Sequence, residues 1–156
     1  MNPSGTRVAC ARSEMGEPTD TETLTADLMK ALQLLARDAV ASALAAGTMP
    51  GTDGLALQPR LTEIAAAELA DLERLAARIA SLGGSPSVTL KKLDPPQEAD
   101  GTLEWLAAMQ REGNDAVVAA IPADADDAEG EATEHLLEHI VARKRDVIEL
   151  LDRALR

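Results

Sequence analysis

Five ionisable residues fall where helical spacing calls for apolar ones. Leu24, Leu28, Leu32, Leu35, Ala39 and Ala43 recur at intervals that share one helix face, and Asp38 lies within that stripe, beside Ala39 and close to Ser42. A second stripe, Leu61, Ile64, Leu75, Ile79 and Leu82, contains Glu68 in a heptad line with Leu61, Leu75 and Leu82, and Asp71 one turn later. Glu112 shares a face with Trp105, Met109 and Ala116, while Lys144 stands among Ile140, Val141, Val147 and Leu151. An unpaired carboxylate in an apolar seam is costly, so the pattern predicts that four carboxylates and one lysine meet inside the fold. Carboxylates converging from facing helices can hold two metal ions through oxygen ligands. A lysine among them supplies positive charge where a metal would otherwise sit, and burial of that lysine is tolerable only if it is paired. Taken singly, each of the five also reads as a boundary residue turned partly to solvent.

Three other groups invite a chemical reading. His135-Leu136-Leu137-Glu138-His139 fits H-x-x-E-H, a zinc-protease pattern in which two histidines one turn apart hold the metal and Glu138 acts as base. Such an enzyme needs a further carboxylate ligand well downstream, and only seventeen residues follow, in the same helical pattern. The pair therefore reads as solvated histidines able to take up Zn or Ni adventitiously. Cys10 lies in a polar stretch with nothing nearby to depress its pKa, so it reads as an ordinary thiol. The run Asp124, Asp126, Asp127, Glu129, Glu131 and Glu134 reads as a solvated linker and helix start.

The elements that must position these groups are helices. Residues 1–22 carry Gly, Pro, Ser and Thr without apolar periodicity and read as a flexible tail. Helical spacing then predicts a first helix over 23–46, stopped by Gly47 and Pro50, and a turn-rich stretch GTMPGTDGLALQP before a second helix over 60–82. Gly83, Gly84 and Pro86 close the second helix. The eighteen residues SPSVTLKKLDPPQEADGT have no period and contain adjacent prolines, so they form a connection. Extended, they reach about 59 Å, against about 35 Å for the second helix, enough to run the length of a bundle. A third helix over 103–121 ends at Pro122, and a fourth over 129–155 has its acids early and its arginines late, as the helix dipole favours.

Composition supports that outline and excludes several functions. Thirty alanines, one tryptophan and no tyrosine or phenylalanine among 156 residues exclude an all-β fold. A net charge of −12 without a basic stripe, and a single Trp105 for stacking, argue against nucleic acid as a partner. One cysteine allows neither a disulfide framework nor a thiolate metal site. No apolar run approaches a membrane span and no secretory signal opens the chain, so the expectation is a cytoplasmic protein with no membrane partner. Four long helices with one long crossover make an all-α four-helix bundle.

The run ELADLERLAARIASLGGSPSV resembles the second helix and following turn of bacterioferritins and other ferritin-like proteins, in which a Glu-x-x-His motif precedes an Arg-Ile pair and a Leu-Gly-Gly-x-Pro turn. The likeness extends from Leu24 to Arg156 in helix lengths and in the long second-to-third connection. It implies a ferritin-like bundle in which Asp38, Glu68 and Glu112 take the places of glutamate ligands. Asp71 stands where the family has its first histidine, and Lys144 and Val147 stand where a second Glu-x-x-His belongs. Leu69 takes the place of the haem-ligating methionine, so haem is not expected, nor is any other resident cofactor. Two functions follow as expectations. The first is a non-catalytic structural or partner-binding subunit, a homo-oligomer or a hetero-oligomer with a protein partner, whose metal site is degenerate. The alternative is an iron-binding or iron-storage ferroxidase using carboxylates alone.

Overall fold

A computed structural model describes residues 20–123 and 125–156. Four helices follow one another: α1, Thr21–Thr48; α2, Gly51–Ser81; α3, Ala99–Ala119; and α4, Ala128–Ala154. No strand occurs among the described residues. None of the helices is long and apolar enough to cross a membrane.

Two helix starts carry side-chain caps. Asp20 accepts from the backbone N–H groups of Glu22 and Thr23 at 3.2 and 3.4 Å, so α1 begins at Thr21, two residues before the expected start at 23. Asp127 accepts from Gly130 N–H at 2.5 Å at the start of α4. The expected tail over 1–22 is thus shortened at its end, because Thr21 and Glu22 belong to α1; residues 1–19, with Cys10, lie outside the described residues, as does Asp124.

The largest departure from expectation is α2. It starts at Gly51, nine residues before the predicted position, and the turn-rich stretch shrinks to Met49 and Pro50. Gly51 takes φ +76°, the left-handed conformation that turns the chain, and Gly54 packs so closely on Met49 that a Cβ would lie 2.1 Å from its carbonyl oxygen. Pro59 stands inside the helix. Proline removes the bond to the carbonyl four residues back; here that is Leu55, on an exposed stretch where water can satisfy the group.

The core lies in two apolar clusters, one towards each end of the bundle. The first joins Leu28, Leu32 and Leu35 of α1 to Leu75 and Ile79 of α2, Val117 of α3, and Leu137 and Ile140 of α4. The second joins Ala41 and Ala45 to Leu61, Ile64, Leu103, Leu106, Val147 and Leu151. Early α1 and early α4 therefore meet late α2 and late α3, so α1 and α4 run one way and α2 and α3 the other. The connection between α2 and α3 must travel the length of the bundle, as its reach allows. It leaves α2 through Gly83 at φ +85° and is fastened midway, where the Gln33 side chain donates to Thr89 C=O at 2.6 Å and accepts from Thr89 N–H at 2.8 Å.

Candidate functional site

Between the two apolar clusters lies a layer of buried polar side chains drawn from all four helices. Lys144 of α4 is 2% exposed, and its Nζ donates to Asp38 Oδ2 of α1 at 2.7 Å, Gln110 Oε1 of α3 at 2.9 Å and Glu68 Oε1 of α2 at 3.2 Å. An ammonium has three protons to give; all three find acceptors. Gln110 Nε2 in turn donates to Glu68 Oε1 at 2.7 Å, and Ser42 Oγ donates to Glu68 Oε2 at 3.1 Å. Asp38 is held from its other side by Arg37, whose Nε and Nη2 reach Oδ1 at 3.0 and 2.8 Å. Arg37 also donates to the Met109 carbonyl at 2.8 Å and pairs with Glu112 at 2.5 Å. Buried charge is tolerated here because Lys144 and Arg37 balance Asp38 and Glu68 and each is hydrogen-bonded.

Local sequence explains the placement. Asp38 is one turn beyond Leu35 on the buried face of α1, Glu68 one turn beyond Ile64 on α2, and Lys144 one turn beyond Ile140 on α4. Gly113 supplies the space: a Cβ there would lie 2.1 Å from Asp38 Oδ2 and 3.1 Å from Lys144 Nζ. A cavity of about 340 Å³ between α2 and α4, lined in part by Glu68, Arg60, Arg143 and Asp146, opens beside the layer.

Of the five residues singled out in the sequence, Asp38, Glu68 and Lys144 meet in this layer. Asp71 is buried as expected but is met by Arg143 at 3.2 Å and Arg74 at 3.3 Å instead of Lys144. Glu112 does not join: its side chain is 62% exposed and reaches back only to Arg37. Trp105 misleads here. It is half-buried on the flank of α3, and the inward face is Leu103, Leu106, Gln110, Gly113 and Val117. Gln110 and Arg37 were missed by sequence reasoning, although Gln110 occupies a seam position, seven residues after Leu103 and four after Leu106. His135 and His139 both lie on the exposed face of α4, and His135 is 3.7 Å from Glu138. Among the described residues no group of three or more His, Cys, Asp or Glu side chains is arranged to hold a metal ion.

Burial is the strongest influence on the three inner carboxyls. It pushes Asp38 above its ordinary value against the pull of Lys144 and Arg37, and pushes Glu68 up against Lys144 and the Gln110 amide. Asp71 is raised by burial too, against Arg143, Arg74 and His139. An acid whose folded pKa is raised keeps its proton longer in the native state than in the unfolded one. Its contribution to stability is greatest below the unfolded value and declines as pH rises through the folded one. The melting temperature should therefore rise as pH is lowered from about 7 towards about 5, just above the ordinary carboxylate range. Thermal melts across that interval check the sign; a fall would show that the cations outweigh burial.

No protein-family model and no curated protein matches the sequence. Solved structures do. A ferritin-like diiron-carboxylate protein from Bacillus anthracis str. Ames superposes with a TM-score of 0.80 at 21% identity, covering 90% of this chain and 100% of that one. The bacterioferritin-related protein of Bacteroides fragilis, a dodecameric thioferritin, gives 0.76 at 18% identity, covering 87% and 86%. A mutant of Dps1 from Mycobacterium smegmatis gives 0.75 at 13% identity, covering 90% and 100%. Four helices, the crossover running the length of the bundle and these superpositions make the fold of this chain the ferritin-like four-helix bundle.

Proposed function

We propose that the protein is a non-catalytic ferritin-like subunit, structural or partner-binding, in which the Lys144 ammonium fills the position that metal takes in a di-metal bundle. The observation that carries this reading is the set of three hydrogen bonds from Lys144 Nζ, to acceptors on the other three helices. A two-metal carboxylate centre draws a glutamate from each of two helices and a Glu-x-x-His from each of the other two. Here α1 offers Asp38, α2 offers Glu68 and Asp71, α3 turns Gln110 inward and Glu112 outward, and α4 offers Lys144 and Val147. Imidazole is missing, one glutamate is replaced by an amide, and the centre already holds a cation. That donor set does not fit two metal ions. Leu69, 53% exposed on α2, likewise offers no thioether to haem.

Assembly belongs to the same proposal. The Bacteroides fragilis neighbour is a dodecamer, and alanine-rich helices without Phe or Tyr bury little area each, so association would supply burial that a lone bundle lacks. The test is metal analysis of protein purified without a histidine tag, with its mass in solution and an assay of Fe(II) oxidation. The expected result is an oligomer with no stoichiometric iron that leaves the oxidation rate at the level of buffer. Two irons per chain and accelerated oxidation would establish the ferroxidase reading instead.

A further inference from the structure

The cleft between α2 and α4 has a volume of about 340 Å³, within the size of small-ligand sites, about 300–1,000 Å³. Buried Ile64 and Val147 form its apolar inner side, and charged side chains line much of the rest. Most of those charges already have partners. Arg60 Nη1 meets Glu63 at 2.9 Å, Arg143 Nη2 meets Asp71 at 3.2 Å and His139 at 2.6 Å, and Glu68 is held by Lys144 at 3.2 Å. Asp146 is the exception: among the described residues it makes no hydrogen bond or ion pair, although two arginines line the same cleft. Nor are those arginines exhausted. A guanidinium has five N–H groups, and among the described residues Arg60 donates only through Nη1 and Arg143 only through Nη2.

We propose that this cleft binds a free α-amino acid with an apolar side chain, its ammonium on Asp146, its carboxylate on Arg143 and its side chain against Ile64 and Val147. An uncommitted carboxylate calls for a cation, and uncommitted guanidinium N–H groups call for an anion; a zwitterion supplies both. Asp146 lies three residues after Arg143 on α4, so the two are neighbours on the helix surface with Cβ atoms about 5–6 Å apart. The two poles of the ligand must therefore sit close together, as they do when one carbon carries both. A dicarboxylate would set its second charge against Asp146, and a diamine would set one of its charges against Arg143; each is a repulsion between like charges.

Two further features suit that ligand. Guanidinium and carboxylate match as planar forks joined by two parallel N–H···O bonds. The Arg143 side chain is only 27% exposed, so a pair formed there is screened less than one on the open surface. Ala67 extends the apolar side with a single methyl and so leaves room for a branched aliphatic chain, whose burial is favourable. Of the groups bonded to Lys144 only Glu68 reaches this cleft. The site thus adds a ligand to the subunit reading without depending on it.

L-Leucine titrated into the full chain by calorimetry tests this. It should bind once per chain with a Kd below about 1 mM. Two analogues divide its poles: 4-methylpentanoate lacks the ammonium and 3-methylbutylamine lacks the carboxylate, and each should bind at least about tenfold more weakly. Asp146→Asn and Arg143→Gln should each weaken leucine at least about tenfold, the usual loss for a hydrogen bond to a charged group. Asp146 has no partner to lose, so Asp146→Asn should melt like the wild type when leucine is absent. Lys92→Gln makes the same charge change as Arg143→Gln at an 84% exposed side chain on the crossover, and it should leave binding unchanged. No saturable binding of leucine below about 1 mM overturns the inference. So does equal binding of the amine, which would mean a site for cations alone, or of the acid, which would mean one for anions alone. Full affinity in Asp146→Asn would put the ligand elsewhere and overturn it too, and none of these results touches the subunit reading.

Discussion

Replacing Lys144 by methionine should lower the unfolding free energy by about 3–5 kcal/mol, the usual cost of removing one partner from a buried ion pair. Methionine comes close to the length and volume of lysine without its charge, so the loss reports the ammonium and not a cavity. Three acceptors lose their donor at once: Asp38 Oδ2, Glu68 Oε1 and Gln110 Oε1. Arg37 still holds Asp38, and Gln110 and Ser42 still hold Glu68, so the layer keeps part of its structure. Those remaining bonds are why the expected value is not larger. Chemical denaturation followed by circular dichroism measures it, and a loss below about 1 kcal/mol, the range of exposed pairs, would place Lys144 outside the layer's energetics.

The second large effect is expected at Gly113. Overpacking a filled core by one methyl costs about 1–3 kcal/mol, but a Cβ here lies 2.1 Å from the carboxylate oxygen that Lys144 donates to. Asp38 cannot retreat without loosening its contacts with Arg37 on the other side. Gly113→Ala should therefore approach the loss seen for Lys144→Met. The two substitutions act on one contact, so their effects should fall well short of additive. A double-mutant cycle by denaturation measures the shortfall; full additivity would mean that Gly113 is small for a reason unrelated to the Asp38–Lys144 pair.

The sequence made the bundle readable because its apolar periodicity is strongly helical and its crossover is long. Three of the four helix starts fell within a few residues of their expected places. The fourth, that of α2, was hidden by Gly51, Gly54 and Pro59, which are ordinary turn signals. Tertiary packing overrides them: Gly54 is needed against Met49, and Pro59 sits on a solvated face. Asp38, Glu68 and Lys144 were legible for one reason, each being charged at a position that periodicity assigns to the core. Glu112 is misplaced by a face drawn through Trp105, because that large residue lies on the flank of α3, whereas Leu103, Leu106, Gln110, Gly113 and Val117 mark its inner face. The role of Arg37 could not be read from one chain position. Its guanidinium lies across the α1–α3 seam and spans Asp38, Met109 and Glu112, and such a link depends on how two helices are rotated about their axes.

In the proposed function an ammonium of the chain itself occupies the place of a metal. The measurement that tests it most directly is thermal unfolding of the wild type and Lys144→Glu with and without Mn²⁺, a cation suited to oxygen ligands and poorly suited to the exposed histidine pair. Lys144→Glu adds a carboxylate beside Asp38 and Glu68, which the wild type holds at 2.7 and 3.2 Å from Nζ. Without metal it should melt below Lys144→Met, because like charges face one another. With Mn²⁺ it should recover part of that loss as a fourth oxygen donor joins Asp38, Glu68 and Gln110, while the wild type should not respond. A wild type that is itself stabilised by the ion as strongly as the variant would contradict the claim, since its centre would then accept a metal with Lys144 in place.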